Sequence, residues 1–281
     1  MGAWFASFLG KNGYRIIICD RNKQAGMALA RKNHFQFLDN PKHAVRQAQL
    51  VLLAVPTKTT STVLKKITPY ISKESLIIEI SSVKEPVEKT LLQLKKQGFT
   101  VLSIHPMFGP GAKTLRGRMI IRVLASHGKA TKRFLSLLRE KGARILPSNF
   151  DEHDKLVSIT LTLPHFMNIA FVSTMQAYGI GPKALRAASG TTFKLQALIA
   201  EAIFQESFSN EVSILKDSTQ SLKVLHTYMR CCEQILSQLA KGTRGKLYQE
   251  LKKDLGYLTM DAMFPVAYDG FNDAVEASGT N

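Results

Sequence analysis

Short runs of largely apolar residues, 50–55, 76–80, 100–104 and 119–124, recur through the first half of the chain with amphipathic stretches between them. A strand that is apolar on both faces has to be covered on both faces, and a parallel sheet flanked by helices does this. The intervals 24–32, 41–48, 59–71, 85–97 and 129–141 carry helical spacing and supply that cover. Gly2 to Asn12 reads as a further helix ending at Gly13, followed by the β-branched run 14–19 and, late in the domain, a strand over 143–146. Residues 1–150 are therefore expected to form a doubly wound, dinucleotide-binding α/β domain with a parallel sheet. After Phe150 the strand signals give way to long helical stretches, so residues 151–281 are expected to form a second, all-helical domain.

No run of 18 apolar residues occurs, so no membrane span is expected. The apolar start, Met1 to Leu9, is followed rather than preceded by its basic residues Lys11 and Arg15, the wrong order for an export signal. Cys19, Cys231 and Cys232 offer neither metal-ligand spacing nor a disulfide framework, and no metal is expected. The chain reads as cytoplasmic. Its formal charge of +17 is spread along the sequence (Lys65-Lys66, Lys95-Lys96, Lys132-Arg133, Lys252-Lys253) instead of gathering in a tail. Such a field attracts small dianions as well as nucleic acid, and no zinc-finger, RNA-recognition or helix-turn-helix signature favours the latter.

A dinucleotide fold opens with a strand, a G-x-G-x-x-G turn and a helix, with an acidic residue near the end of the second strand. Only the tail of that pattern is present. Gly2 stands where the last glycine packs helix against sheet, and Asp20 follows 18 residues later. A carboxylate there accepts hydrogen bonds from ribose hydroxyls and repels a 2′-phosphate, favouring NAD; Arg21 and Lys23 leave NADP open. The plain alternative for Asp20 is a turn residue. Val55 and Pro56, closing an apolar strand, are expected to line the nicotinamide pocket, unless they simply end that strand. Absence of the first strand would leave its two neighbours unpaired. The expectation drawn from this is that the natural chain starts upstream of Met1.

Four segments resemble the prephenate dehydrogenase family. They are Met1–Leu9 with Gly13-Tyr14 and Asp20-Arg21; Glu79-Ile-Ser-Ser-Val-Lys84; Leu102-Ser-Ile-His-Pro-Met-Phe-Gly-Pro110, the most specific; and Glu152-His-Asp154 with Leu163-Pro-His-Phe166. The resemblance covers most of the chain and weakens after about residue 205. It implies an NAD(P)-dependent oxidative decarboxylation of prephenate, or of its aminated analogue arogenate, by a homodimer paired through its helical domains.

The chemistry asks for a group that accepts the proton of the ring hydroxyl while hydride leaves the same carbon. A neutral imidazole suits that role. His105, at the carboxyl end of an expected strand, lies where ligands meet such sheets and is the candidate base. The resemblance implies that Ser82 faces the substrate, orienting the ring hydroxyl or His105; a loop-capping serine is the alternative. His165 is expected to reach the substrate from the helical domain, or else to be a satisfied core histidine. His153 is expected to anchor the start of the second domain. The sequence departs from the family where a substrate-binding arginine is expected: Ala202 occupies that position, with Lys194 as a possible substitute and Arg186 and Lys183 nearby. The family's acidic residue after the His-Pro motif is replaced by Pro110 and Gly111. A dehydrogenase for another small acid, or a non-catalytic binding protein, are the rival readings.

Overall fold

The computed structural model describes residues 1–205, 207–242 and 244–278. The chain divides into two compact units, one of residues 1–157 with 216–218 and one of residues 158–215 with 219–281.

The first unit alternates helices and strands: α1 (Gly2–Lys11), β1 (Ile17–Ile18), α2 (Lys23–Asn33), β2 (Gln36–Phe37), α3 (Pro41–Arg46), β3 (Leu50–Leu53), α4 (Thr57–Ile67), β4 (Leu76–Glu79), α5 (Glu85–Lys96), β5 (Thr100–Pro106), β6 (Met119–Ala125), α6 (Lys129–Glu140), β7 (Arg144–Pro147) and α7 (Phe150–Val157). Among the described residues the strands form two sheets, β1-β2 and β3-β4-β5-β6-β7. Strand β2 carries no apolar alternation and was not legible in the sequence.

Strands β3, β4 and β5 are parallel, while β6 runs antiparallel to β5 and β7 follows β6 in parallel. The sequence led us to expect parallel strands throughout. Residues 107–118 between β5 and β6 contain no helix, so the chain returns directly without the crossover that a parallel neighbour requires.

Strand periodicity sorts the sheet into two cores. Leu76, Ile78, Leu102 and Ile104 face Phe5 and Leu9 of α1 and Phe134 and Leu138 of α6. Ile77 and Val101 face Leu64 and Ile67 of α4 and Val87 and Leu91 of α5. Glu79, Ser103 and His105 continue this second face to the carboxyl ends of their strands. Helix α1 also reaches the loop after β5: the Trp4 indole N–H donates to Ala112 O at 2.6 Å, and its ring meets Phe108 edge-on at 5.1 Å. The helix thus packs on the His-Pro-Met-Phe-Gly-Pro segment.

The second unit is helical, with α8 (Leu163–Ala177), α9 (Pro182–Ala187), α10 (Thr191–Phe204), α11 (Phe208–Lys216), α12 (Thr219–Ala240), α13 (Arg244–Leu258) and α14 (Ala267–Ala277). Residues Ser158–Thr162 form one π-helical turn just before Pro164. Proline removes an N–H and crowds the preceding turn, and a widened turn accommodates this. Phe166 of α8 meets Tyr228 of α12 at 6.2 Å, and Phe171 meets Phe193 of α10 at 5.7 Å. Many large apolar side chains stay exposed, among them Leu236 at 64%, Tyr257 at 72% and Met260 at 75%.

Helical structure runs on from Phe150 to Ala177, long and apolar enough by length and composition to cross a membrane. The sequence reading found no such run because polar residues interrupt it. Its first turns hold His153 and Asp154, which are buried and hydrogen-bonded within the first unit.

Gly142 and Gly98 both adopt positive φ, +92° and +83°. A Cβ on Gly142 would lie 2.9 Å from Arg116 Cα, whereas nothing lies within 4 Å of one on Gly98. Both Gly→Ala changes carry the left-handed strain. Gly142→Ala is expected to lose a further ~1–3 kcal/mol from overpacking, measured as the urea midpoint. Equal losses would remove the close approach as a cause.

Candidate active site

The carboxyl end of the β4-β5 face holds a polar cluster that is almost completely buried. Lys84 and Glu79 have no exposed side-chain surface, and their Nζ and Oε2 are 2.8 Å apart. The ammonium also donates to Ile104 O at 2.9 Å, while Ser103 Oγ donates to Glu79 Oε2 at 2.7 Å. The Ser81 amide donates to the other Glu79 oxygen. The register explains the meeting: Glu79 pairs with Ser103 across β4 and β5.

His105, 3% exposed, sits near the end of β5, the middle strand of the larger sheet. Its Nδ1 lies 3.0 Å from His153 Nε2, and His153 Nδ1 lies 2.7 Å from Asp154 Oδ1. The Asp154 carboxylate accepts from the amide of Lys84 at 2.9 and 3.2 Å and from that of Glu85 at 2.8 Å. These are amides at the start of α5, which lacks a side-chain cap of its own. Asp154 therefore caps α5 from another helix, with its charge favourably placed against the helix dipole. Helix α7 is set by Asn149, whose side chain accepts from the Glu152 amide at 2.9 Å.

Burial drives the pKa of His105 well below its usual 6.5, and the neighbouring His153 and Lys84 push it the same way. His153 is also lowered, chiefly by burial, although Asp154 pulls it upward. Burial lowers Lys84 against the opposing pull of Glu79. Both imidazoles are thus neutral at neutral pH.

The other residues singled out in the sequence are distributed as follows. Ser82 is half-buried in the loop after β4 and makes no side-chain hydrogen bond among the described residues, so His153, rather than Ser82, orients His105. Gly2 opens α1, where a Cβ would lie 3.1 Å from that of Ala54, so the helix start closely approaches the end of β3. Asp20 is exposed just past β1, its Oδ1 accepting from the Asn22 amide at 2.8 Å. That is the turn role, and Oδ2 makes no hydrogen bond among the described residues. Arg21 is exposed beside it, and Lys23 is paired with Asp39 at 2.7 Å. Val55 is half-buried, and Pro56, exposed, precedes α4.

In the second unit His165 Nδ1 meets Glu211 Oε2 at 2.6 Å. Lys194 of α10 is half-buried with no ion-pair partner among the described residues, Ala202 is exposed, and Arg186 is engaged by Glu201 at 2.5 Å. Sequence reasoning did not assign Glu79, Lys84, Ser103, His153 or Asp154 to the site. The available signal was a glutamate interrupting an apolar strand and an adjacent His-Asp pair one turn into a helix. Among the described residues no group of three or more His, Cys, Asp or Glu could hold a metal ion.

Two family models match in tandem: "Prephenate dehydrogenase, nucleotide-binding domain" over residues 5–144 and "Prephenate dehydrogenase, dimerization domain" over residues 149–253. The chain belongs to the prephenate dehydrogenase family. Similar family members include "Probable arogenate/prephenate dehydrogenase" of Methanocaldococcus jannaschii, 25% identical over 90% of this chain and 57% of that protein. Another is "T-protein" of Haemophilus influenzae, 25% identical over 87% of this chain and 60% of that protein. The chain thus spans about three-fifths of the length of these relatives. Among solved structures, prephenate dehydrogenase from A. aeolicus, in complex with hydroxyphenyl propionate and NAD+, shares the fold at a TM-score of 0.72 and 18% identity, covering 93% of this chain and 95% of that one.

Lys84→Met, which strands Glu79 in the interior, is expected to cost about 3–5 kcal/mol in urea unfolding. The Glu79→Gln/Lys84→Met double variant is expected to cost less than the single change; a larger loss would contradict the ion-pair account. The depressed histidines also make stability depend on pH. Below about pH 6.5 the unfolded chain binds protons that native His105 and His153 refuse. Stability is therefore expected to be fully present above that pH and to fall as pH drops from 7 towards about 5.5. A flat urea midpoint across that window would refute their buried, neutral state.

Proposed function

We propose that this family member carries out the NAD-dependent oxidative decarboxylation of prephenate to 4-hydroxyphenylpyruvate, on the route to tyrosine. The observation that carries this reading is the neutral, buried imidazole of His105 at the carboxyl end of the middle strand, where ligands of doubly wound sheets bind. Nicotinamide dinucleotide, when bound, supplies the hydride acceptor. The residues present fit it: the first turn of α1, which no side chain caps among the described residues and where Gly2 lies close against Ala54, suits a pyrophosphate, and Asp20 Oδ2, with no hydrogen bond among the described residues, suits a ribose. Asp20 favours NAD over NADP.

His105 takes the proton of the ring hydroxyl as hydride leaves the same carbon, and the ring becomes a dienone. Loss of CO2 returns an electron pair to the ring and yields a phenolate. The proton on His105 then passes to that oxygen. Prephenate dianion and NAD+ thus become the 4-hydroxyphenylpyruvate anion, CO2 and NADH, with charge conserved. Ser82, whose hydroxyl makes no hydrogen bond among the described residues, is the candidate to orient the substrate hydroxyl. His165 and Lys194 are the candidates for substrate carboxylates in the absence of an arginine at position 202.

The exposed apolar surface of the helical unit supports a homodimer, as does its match to a dimerization domain. A role in biosynthesis on a small soluble substrate also underlies an assignment to the cytoplasm.

The test is NADH formation by the full chain with prephenate and with arogenate. Turnover of prephenate is expected, and His105→Asn is expected to lower kcat about 10²–10⁴-fold. Preference for arogenate would move the substrate assignment to the aminated analogue. No turnover of either would overturn the reading.

A further inference from the structure

We propose that Asp154 and His153 form a relay that dictates which nitrogen of His105 carries the proton, keeping Nε2 bare to receive the substrate's. The proposal rests on the dehydrogenase reading only for the identity of the reaction; the tautomer itself is a property of the folded chain.

The argument is a chain of donors and acceptors. Asp154 is pinned by the Lys84 and Glu85 amides, and both are donors. Facing His153 Nδ1 at 2.7 Å, its carboxylate can only accept, so that nitrogen must carry the proton. A neutral imidazole has one N–H, so His153 Nε2 is an acceptor. It faces His105 Nδ1 at 3.0 Å, and two bare nitrogens would not settle there. His105 Nδ1 therefore carries the proton and Nε2 does not. Any other assignment leaves two acceptors or two donors opposed between side chains that are almost completely buried.

The relay also holds the proton loosely once it arrives. Protonated His105 strengthens its hydrogen bond to His153, but the buried ammonium of Lys84 opposes the new charge. The imidazolium is thereby poised to release its proton to the phenolate. His153 and Asp154 are positioning residues, since they act through His105.

Nitrogen-15 NMR of histidine-labelled chain, without ligand, tests the tautomer directly. In the unmodified protein the unprotonated nitrogen of His105 is expected to be Nε2; finding it at Nδ1 overturns the proposal whatever the activity. Asp154→Asn presents an N–H to His153 and should reverse both tautomers. Its kcat with prephenate is expected to drop about 100-fold or more with KM little changed. His153→Gln, whose side-chain oxygen can accept from His105 Nδ1, is expected to recover much of the rate that His153→Leu loses. A folded Asp154→Asn chain with reversed tautomers and undiminished kcat would refute the relay's role. If that variant does not fold, the spectrum of the unmodified chain and the Gln-Leu pair decide. Absence of turnover in a chain with the expected tautomer would overturn the dehydrogenase reading and leave the relay intact.

Discussion

A lysine ammonium sealed inside the protein governs the whole carboxyl end of the larger sheet. Lys84 has no exposed surface and is retained only because Glu79 and the Ile104 carbonyl take its hydrogen bonds. Such a pair contributes little net stability relative to apolar packing, yet it cannot lose one member cheaply. Its ammonium half also opposes a positive charge on either neighbouring histidine. Burial is the main cause that lowers His105 and His153, with Lys84 acting in the same direction on both and the carboxylates of Asp154 and Glu79 pulling His153 upward. Neutral histidines are what a proton-accepting site near pH 7 requires. The backbone of the same residue is also engaged, because its amide is one of the donors that pin Asp154. One residue thus ties strand β5, helix α5 and helix α7 into a single polar assembly.

The two units differ in how completely they satisfy their own apolar surface. In the first, each face of the five-stranded sheet is covered by helices, and strand residues such as Ile77, Ile78, Val101 and Leu102 are fully buried. In the second, α12 and α13 present exposed leucines and tyrosines, among them Leu236, Leu239, Tyr248 and Leu251, more than a helical unit standing alone normally leaves in water. A second copy of the same surface would cover them. The two-stranded β1-β2 sheet stands apart from the larger sheet.

Most elements of the first unit were legible in the sequence because each rests on local periodicity. Helices α2, α4, α5 and α6 begin and end within a few residues of their amphipathic stretches, and the apolar runs are the strands of the larger sheet. The direction of β6 was not legible, since strand direction depends on whether the connecting segment folds as a helix, and residues 107–118 do not. Nor was the extent of α7's attachment: it stays with the first unit through Val157 because His153 and Asp154 bond to that unit.

By itself the sequence determined the class of architecture, the family and the position of His105, because alternating apolar segments and a His-Pro-Met-Phe-Gly-Pro run are properties of neighbouring residues. The partner of that histidine was decided only in three dimensions. His153 lies 48 residues away and Asp154 lies 70 residues from the amide it caps, separations at which no spacing rule operates. The same holds for Glu79 and Ser103, joined by strand register. Hydrogen-bond direction within a buried cluster follows from which donors and acceptors end up opposed, and folding alone brings them together.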